Sequence, residues 1–283
     1  MPESRMAEVG GIRMHYLIEG EGPPLVLLHG WPQTSHCWRH VIPALAETHT
    51  VIAPDLRGYG RTDKPRTGYD KRTMAADVRE LARSLGFERI SLAGHDRGGR
   101  VAHRYALDHP AEVDRLAVLD IIPTREMWRR FDMDTGLAAS AWHWTFHLQP
   151  DLPEQLAGAD VRGYLSYFFE RWTVQRAAVD EGVEEYVRAF SRPGALRAGF
   201  DDYRASFPDD AAHDDADHDA GRRLEMPVLA LWGAGGIPAR VDVLDAWRGY
   251  ARDVRGAEIP DCGHFLAEER PEAVVTHLRE FLR

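Results

Sequence analysis

Five short apolar runs, at 25–28, 50–53, 90–93, 116–119 and 228–231, constrain this chain most, because none of them alternates with polar residues. A strand with one wet face alternates; a short run that does not alternate belongs in a sheet covered on both faces. Helical patterns separate the runs. At 73–85, Met74, Val78, Leu81 and Leu85 share one stripe, and Gly86 stands where a C-terminal cap is needed. At 271–282, Pro271 occupies a first turn and Val274, Val275, Leu278 and Leu282 point one way. Strand and helix in alternation predict an α/β fold with a mostly parallel central sheet and helices on both faces. Ahead of the first run, segments 7–9 and 12–19 flank Gly10-Gly11 and predict an opening hairpin. The rhythm stops between 123 and 223, where aromatics such as Trp128, Trp142, Trp144, Tyr164 and Phe168 gather without a strand signal. An inserted helical cap over 123–223 accounts for this, leaving 1–122 and 224–283 as the core, and 283 residues leave room for both.

Charge narrows the classes of function. Against 45 Asp and Glu stand 35 Lys and Arg, a formal charge of -10, and such a field repels nucleic acid and anionic lipid. Neither nucleic acid nor membrane is therefore expected as a partner. The same field repels small anions, so an anionic substrate would need a locally built positive site. No segment reads as a leader or a membrane span, and the two cysteines, Cys37 and Cys262, read as small core residues. A cytoplasmic setting is the expectation. The stretch 209–219 carries six aspartates with His213 and His218; their spacing matches neither an EF-hand nor a zinc site and reads as acids on a solvated helix. No metal and no organic cofactor is implied.

The chemistry concentrates after the run at 90–93, where Gly94-His95-Asp96-Arg97-Gly98-Gly99 leads into a helical pattern. Strand, sharp turn and helix are the setting of a nucleophile elbow, with Asp96 where serine is usual. The glycines let the turn close while its central side chain stays exposed to the site. The plainer alternative is a glycine-rich turn with a capping aspartate. Together with His29-Gly30-Trp31-Pro32, Asp55-Leu56-Arg57-Gly58-Tyr59-Gly60 and Cys262-Gly263-His264-Phe265, the elbow resembles the alpha/beta hydrolases, and within them the fluoroacetate or haloacetate dehalogenases.

A serine attacks carbonyl carbon, whereas a carboxylate can displace a leaving group from saturated carbon and form an ester that water then opens. Arg97 and Arg100 follow Asp96 at the start of the elbow helix and are read as a clamp for a substrate carboxylate; the alternative is a solvated face shared with Arg104. His264 falls in the chain order nucleophile, acid, histidine. The stretch after the run at 228–231, Gly233-Ala234-Gly235-Gly236, carries no acid, so Asp120 is taken as the partner of His264, with Asp242 in reserve. The resemblance further implies a halide site from His143, Trp144 and Tyr203, an oxyanion hole from the backbone N–H groups of Trp31 and Arg97, and a homodimer. Arg61 departs from the tryptophan that close relatives would carry. The expected activity is hydrolytic dehalogenation of 2-haloacetates such as fluoroacetate, chloroacetate and bromoacetate, giving glycolate and halide. An epoxide hydrolase would instead use Tyr203 with Tyr164 or Tyr167 to protonate the epoxide oxygen, and a catalytically silent receptor would bind haloacetate without releasing halide.

Overall fold

The structure is a computed structural model and describes residues 2–283. Eight strands form one sheet: β1 (Glu3–Val9), β2 (Ile12–Glu19), β3 (Pro24–Leu28), β4 (Thr50–Pro54), β5 (Ile90–His95), β6 (Val113–Leu119), β7 (Val228–Gly233) and β8 (Val254–Ile259). Their spatial order is β1-β2-β4-β3-β5-β6-β7-β8. The opening hairpin forms as its pattern predicts, with Val9 opposite Ile12 across Gly10 and Gly11, both at positive φ. β2 is antiparallel to β4, and from β4 to β8 every pairing is parallel. The apolar runs account for this: Leu25 to Leu28, Leu92, Ala93 and Leu116 to Leu119 are almost wholly buried, and only a sheet covered on both faces takes up every side chain of such a run.

The register sets up the site. Leu28 pairs with Gly94, His95 with Leu119, and Leu119 with Leu231, so β3, β5, β6 and β7 end at one level. In open α/β sheets, ligands bind beyond these carboxyl ends. The helices Lys71–Ser84, Asp96–Asp108 and Pro271–Leu282 take up the periodic segments; Asp70 caps the first by accepting from the Thr73 amide, and Gly86 at φ +89° lies just beyond its end. Between β6 and β7 the described residues form no strand. Helices there include His143–His147, Val161–Trp172, Arg176–Phe190, Ala195–Ala205 and Ala211–Asp219. Cys37 and Cys262 are buried free thiols, and no helix among the described residues is long and apolar enough to cross a membrane.

The acidic stretch departs from the expectation of a solvated helix. Asp210, Asp214 and Asp217 are buried, spaced i, i+4, i+7 on one face. Asp210 accepts from the Lys71 amide at 2.8 Å, and Asp217 lies 2.5 Å from the Arg104 guanidinium. Arg104 is thus buried too, which removes the solvated-face alternative for the elbow helix. Burial pushes the Asp214 carboxyl up to about 7 against the pull of Arg104. The cations come from segments about a hundred residues away, so spacing within the stretch could not show this pairing.

The elbow turn tolerates no added atom. A Cβ on Gly98 would stand 2.3 Å from the His29 carbonyl oxygen and 2.4 Å from that of Leu28. Gly98→Ala is expected to lose about 1–3 kcal/mol in chemical unfolding, whereas Gly158→Ala, whose Cβ meets only Leu196 at 3.9 Å, should lose nothing. Equal stability of the two variants would contradict this packing.

Candidate active site

β5 delivers Asp96 at its carboxyl end with φ at +45°, a conformation that costs a non-glycine residue about 1–3 kcal/mol and is tolerated where surrounding structure imposes it. Here the glycines impose it: a Cβ on Gly94 would lie 2.5 Å from the Gly98 carbonyl oxygen. The Asp96 side chain is buried, and its Oδ2 accepts from the Trp31 amide at 2.9 Å. Burial works to raise this carboxyl, but the charges of His264, His95, Arg97 and Arg100 outweigh it and hold it below the usual aspartate range. Asp96 is therefore ionised at neutral pH, with Oδ2 engaged by backbone.

The loop after β8 brings His264 to the same place. Its Nδ1 donates to Asp120 Oδ2 at 2.7 Å. Asp120, at φ +51° just past β6, donates its amide to Leu231 O at 2.8 Å and accepts at Oδ1 from the Gly233 amide at 3.0 Å. The Gly233–Gly236 stretch thus supplies a donor where it lacks an acid. Asp242 is exposed and caps the helix Val243–Arg248 by accepting from the Asp245 amide. Burial lowers the His264 imidazolium, yet the hydrogen bond and charge of Asp120 prevail and raise it above its ordinary value. His264 Nε2 is buried without a hydrogen-bond partner among the described residues and faces the same cavity as Asp96.

The two arginines differ. Arg100 lies in the cavity wall, donating from Nη1 to Ile122 O and Thr124 Oγ1 at 3.1 and 3.0 Å, with its guanidinium 4.5 Å from the Trp144 ring centre. Burial and the neighbouring Arg97 push Arg100 down to about 10, so it remains a cation at neutral pH. Arg97 corrects the expectation of two free guanidiniums. Its Nε and Nη2 donate to Asp202 Oδ1 at 2.9 and 2.6 Å, and Nη2 also reaches Asp202 O and Ser206 Oγ; Nη1 alone has no partner. A wholly buried cation needs a counter-charge, and Asp202 provides it.

His143, Trp144 and Tyr203 come together. The His143 ring lies 5.5 Å and the Trp144 ring 5.9 Å from that of Tyr203. Burial holds His143 far below its ordinary value, hence neutral, and lifts the Tyr203 phenol; His143 Nδ1 is buried without a partner. His143 and Trp144 line the cavity with Asp96, Arg100, Asp120 and His264, against walls that include Ile122, Met127, Leu137 and Trp172. The space is small, about 30 Å³ for water centres. Of the expected site residues, Tyr203, Arg97 and Trp31 are not in this wall; nor are Tyr164, whose hydroxyl sits 2.6 Å from His147 Nε2, and the 41% exposed Tyr167. Arg61 is also elsewhere, at the β1–β2 edge, donating to Ser4 Oγ. Among the described residues no group of three or more His, Cys, Asp or Glu could hold a metal.

Sequence reasoning missed Glu269. This buried carboxylate accepts from the amides of Gly263, Val174 and Gln175 at 2.7 to 2.9 Å and from that of Phe265 at 3.0 Å. The His264 amide meanwhile donates to Trp172 O at 2.7 Å. The histidine loop and the segment after helix Val161–Trp172 are thereby tied to one side chain. The signal was faint: an acid five residues beyond His264, in a run of three charged residues.

The family described as the alpha/beta hydrolase fold matches residues 23–271. The chain is 42% identical to a soluble epoxide hydrolase of Corynebacterium sp. (strain C12), over 97% of this chain and 95% of that protein. It is 41% identical to a fluoroacetate dehalogenase of Burkholderia sp, over 99% and 93%. The crystal structure of ALR0039 from Nostoc sp PCC 7120 superposes with a TM-score of 0.95 at 43% identity, covering 99% of this chain and 98% of that one.

Glu269→Gln replaces one acceptor oxygen with a donor and strands at least one buried N–H group. Its unfolding free energy should fall by about 1–3 kcal/mol; a denaturation midpoint equal to that of the unmodified protein would show that the four contacts carry no weight.

Proposed function

This chain belongs to the alpha/beta hydrolase family, and on that premise we propose that it hydrolyses 2-haloacetates, fluoroacetate among them, to glycolate and halide through an ester on Asp96. The observation that carries this reading is Arg100: a cation in the wall of the small cavity that also holds Asp96. A carboxylate substrate gives that charge a partner; Arg97 lies outside the wall, but its Nη1 is unpaired and serves in this reading as a second donor. The cavity suits a molecule of few atoms.

In the proposed reaction, the substrate carboxylate lies against Arg100 and Arg97, with its α carbon toward Asp96 Oδ1. That oxygen attacks in line, the carbon–halogen bond breaks, and the halide leaves with the bonding pair toward His143, Trp144 and Tyr203. Neutral donors suit a poor leaving group such as fluoride, since they stabilise charge as it develops. His264 Nε2, oriented by Asp120, then takes a proton from water, whose oxygen adds to Asp96 Cγ. The charge gathers on Oδ2, already held by the Trp31 amide, with the Arg97 amide as the second donor of the proposed oxyanion hole. Collapse breaks the Cγ–Oδ1 bond, and glycolate leaves with the proton returned by His264. The helical segment 123–223 acts in this scheme as a cap that supplies the halide donors and excludes water.

The competing reading, an epoxide hydrolase, draws support from the 42% identical relative of that name. It needs two tyrosines over the nucleophile, and Tyr164 is engaged with His147. A neutral epoxide also leaves buried arginine charge without a counter-ion.

A fluoride electrode and ion chromatography should register halide from fluoroacetate and chloroacetate. One turnover in ¹⁸O water should label Asp96, not glycolate, and His264→Asn should accumulate a carboxymethyl ester visible by mass. Halide release without labelling of Asp96 would exclude the covalent route; turnover of styrene oxide with no halide from any haloacetate would establish the competing reading.

The base must be neutral, so ester hydrolysis should slow as pH falls through the His264 value, which Asp120 raises above 6.5. Asp120→Asn removes the carboxylate and should move this acid limb to lower pH while reducing the rate about 100-fold or more. An unmoved limb would mean that another group is the base.

A further inference from the structure

We propose that a second cavity, outside the pocket that holds Asp96, is an anion-collecting vestibule in which Arg171 and Arg240 hold the substrate carboxylate on its way inward. The proposal rests on the haloacetate reading for its natural ligand, but its chemistry is that of any small anion. Trp172 and Ile237 line both cavities, so the two share a wall. Gly236 also lines the outer one, and a Cβ there would stand 2.3 Å from Oδ1 of Asp120, a residue of the inner wall. The outer cavity is therefore a single glycine's thickness from the Asp120–His264 pair. It is larger, about 230 Å³ for water centres against about 30 Å³ inside.

Its charge is the telling feature. Arg171 and Arg240 are the charged residues of its wall, with no acid among them. Both are exposed, and neither has an ion-pair partner among the described residues. Some other exposed arginines are neutralised by a nearby acid, as in Arg13 with Asp63, Arg72 with Asp108 and Arg162 with Glu184. On a chain of charge -10, two uncompensated cations around one concavity create a local reversal of sign. The Arg171 guanidinium sits 5.3 Å from the Tyr167 ring centre, which holds it over the cavity rather than leaving it to range through solvent. Clefts lined by one sign of charge raise the local concentration of the opposite ion and its rate of capture, and salt abolishes the effect. A haloacetate approaching a chain of net charge -10 meets two cations at this concavity, and Arg100 in the wall of the adjoining cavity offers the next.

The test pairs Arg171→Gln/Arg240→Gln with the unmodified protein. At about 0.01 M salt, where the Debye length is ~30 Å, kcat/KM for chloroacetate should fall on the order of 3- to 10-fold in the variant with kcat unchanged. The difference should vanish near 1 M salt, where that length is ~3 Å, and neutral 2-chloroacetamide should show none at either. In parallel, tryptophan quenching by iodide, read at low salt against neutral acrylamide, should weaken in the variant for iodide alone, since Trp142 and Trp172 line the vestibule. Equal iodide quenching in the two proteins would overturn the vestibule whatever the substrate is. Arginine-dependent iodide quenching with no halide from any haloacetate would keep the vestibule and remove the haloacetate assignment. Chloroacetate kinetics that are unchanged at low salt in an active enzyme would overturn the role in capture.

Discussion

The Arg97–Asp202 ion pair has both side chains wholly out of solvent, and the arrangement of charge around the site depends on it. Asp202 also receives Lys71 and the Tyr59 hydroxyl, so one carboxylate joins the elbow helix, the helix Lys71–Ser84 and the helix Ala195–Ala205. Burial alone would lower Arg97 and raise Asp202, but each is moved the other way by its partner. Breaking such a pair from one side costs about 3–5 kcal/mol, because the remaining charge is left buried and uncompensated. The pair fixes where Arg97 can point. It also brings Tyr203, the next residue, under the Arg97 guanidinium at 4.3 Å.

Around that fixed point the site separates its charges. Arg97 is largely neutralised by its own aspartate, whereas Arg100 has only neutral oxygens within hydrogen-bond reach. Asp96 has an amide on one oxygen, and His264 has a carboxylate on one nitrogen. Each reactive group is held on one side and open on the other, which is what preorganisation requires of an attacking oxygen and a proton acceptor. Glu269 extends the same logic to backbone, gathering four amides so that the histidine loop has little freedom to drift.

Much of this is legible in the sequence. The short unalternating runs, set between helical patterns, pointed to strands buried on both faces. The glycines around Asp96 specified a turn. Asp120 could be preferred to Asp242 because it directly follows a strand; in the structure it lies against His264. The state of Arg97 was illegible, because its partner lies 105 positions away on a helix whose rotation no local pattern fixes. The same distance hid the pairing of Asp217 with Arg104, which made a buried acidic face look like a solvated one.

By itself, then, the sequence determined the α/β layering and the presence of an aspartate at the elbow, because both follow from local periodicity and local steric demands. Tertiary structure alone decided which arginine faces the cavity, which tyrosine hydroxyl is already engaged and which acids are buried. Those outcomes turn on pairing across long stretches of chain, where a buried charge takes the counter-charge that folding brings to it.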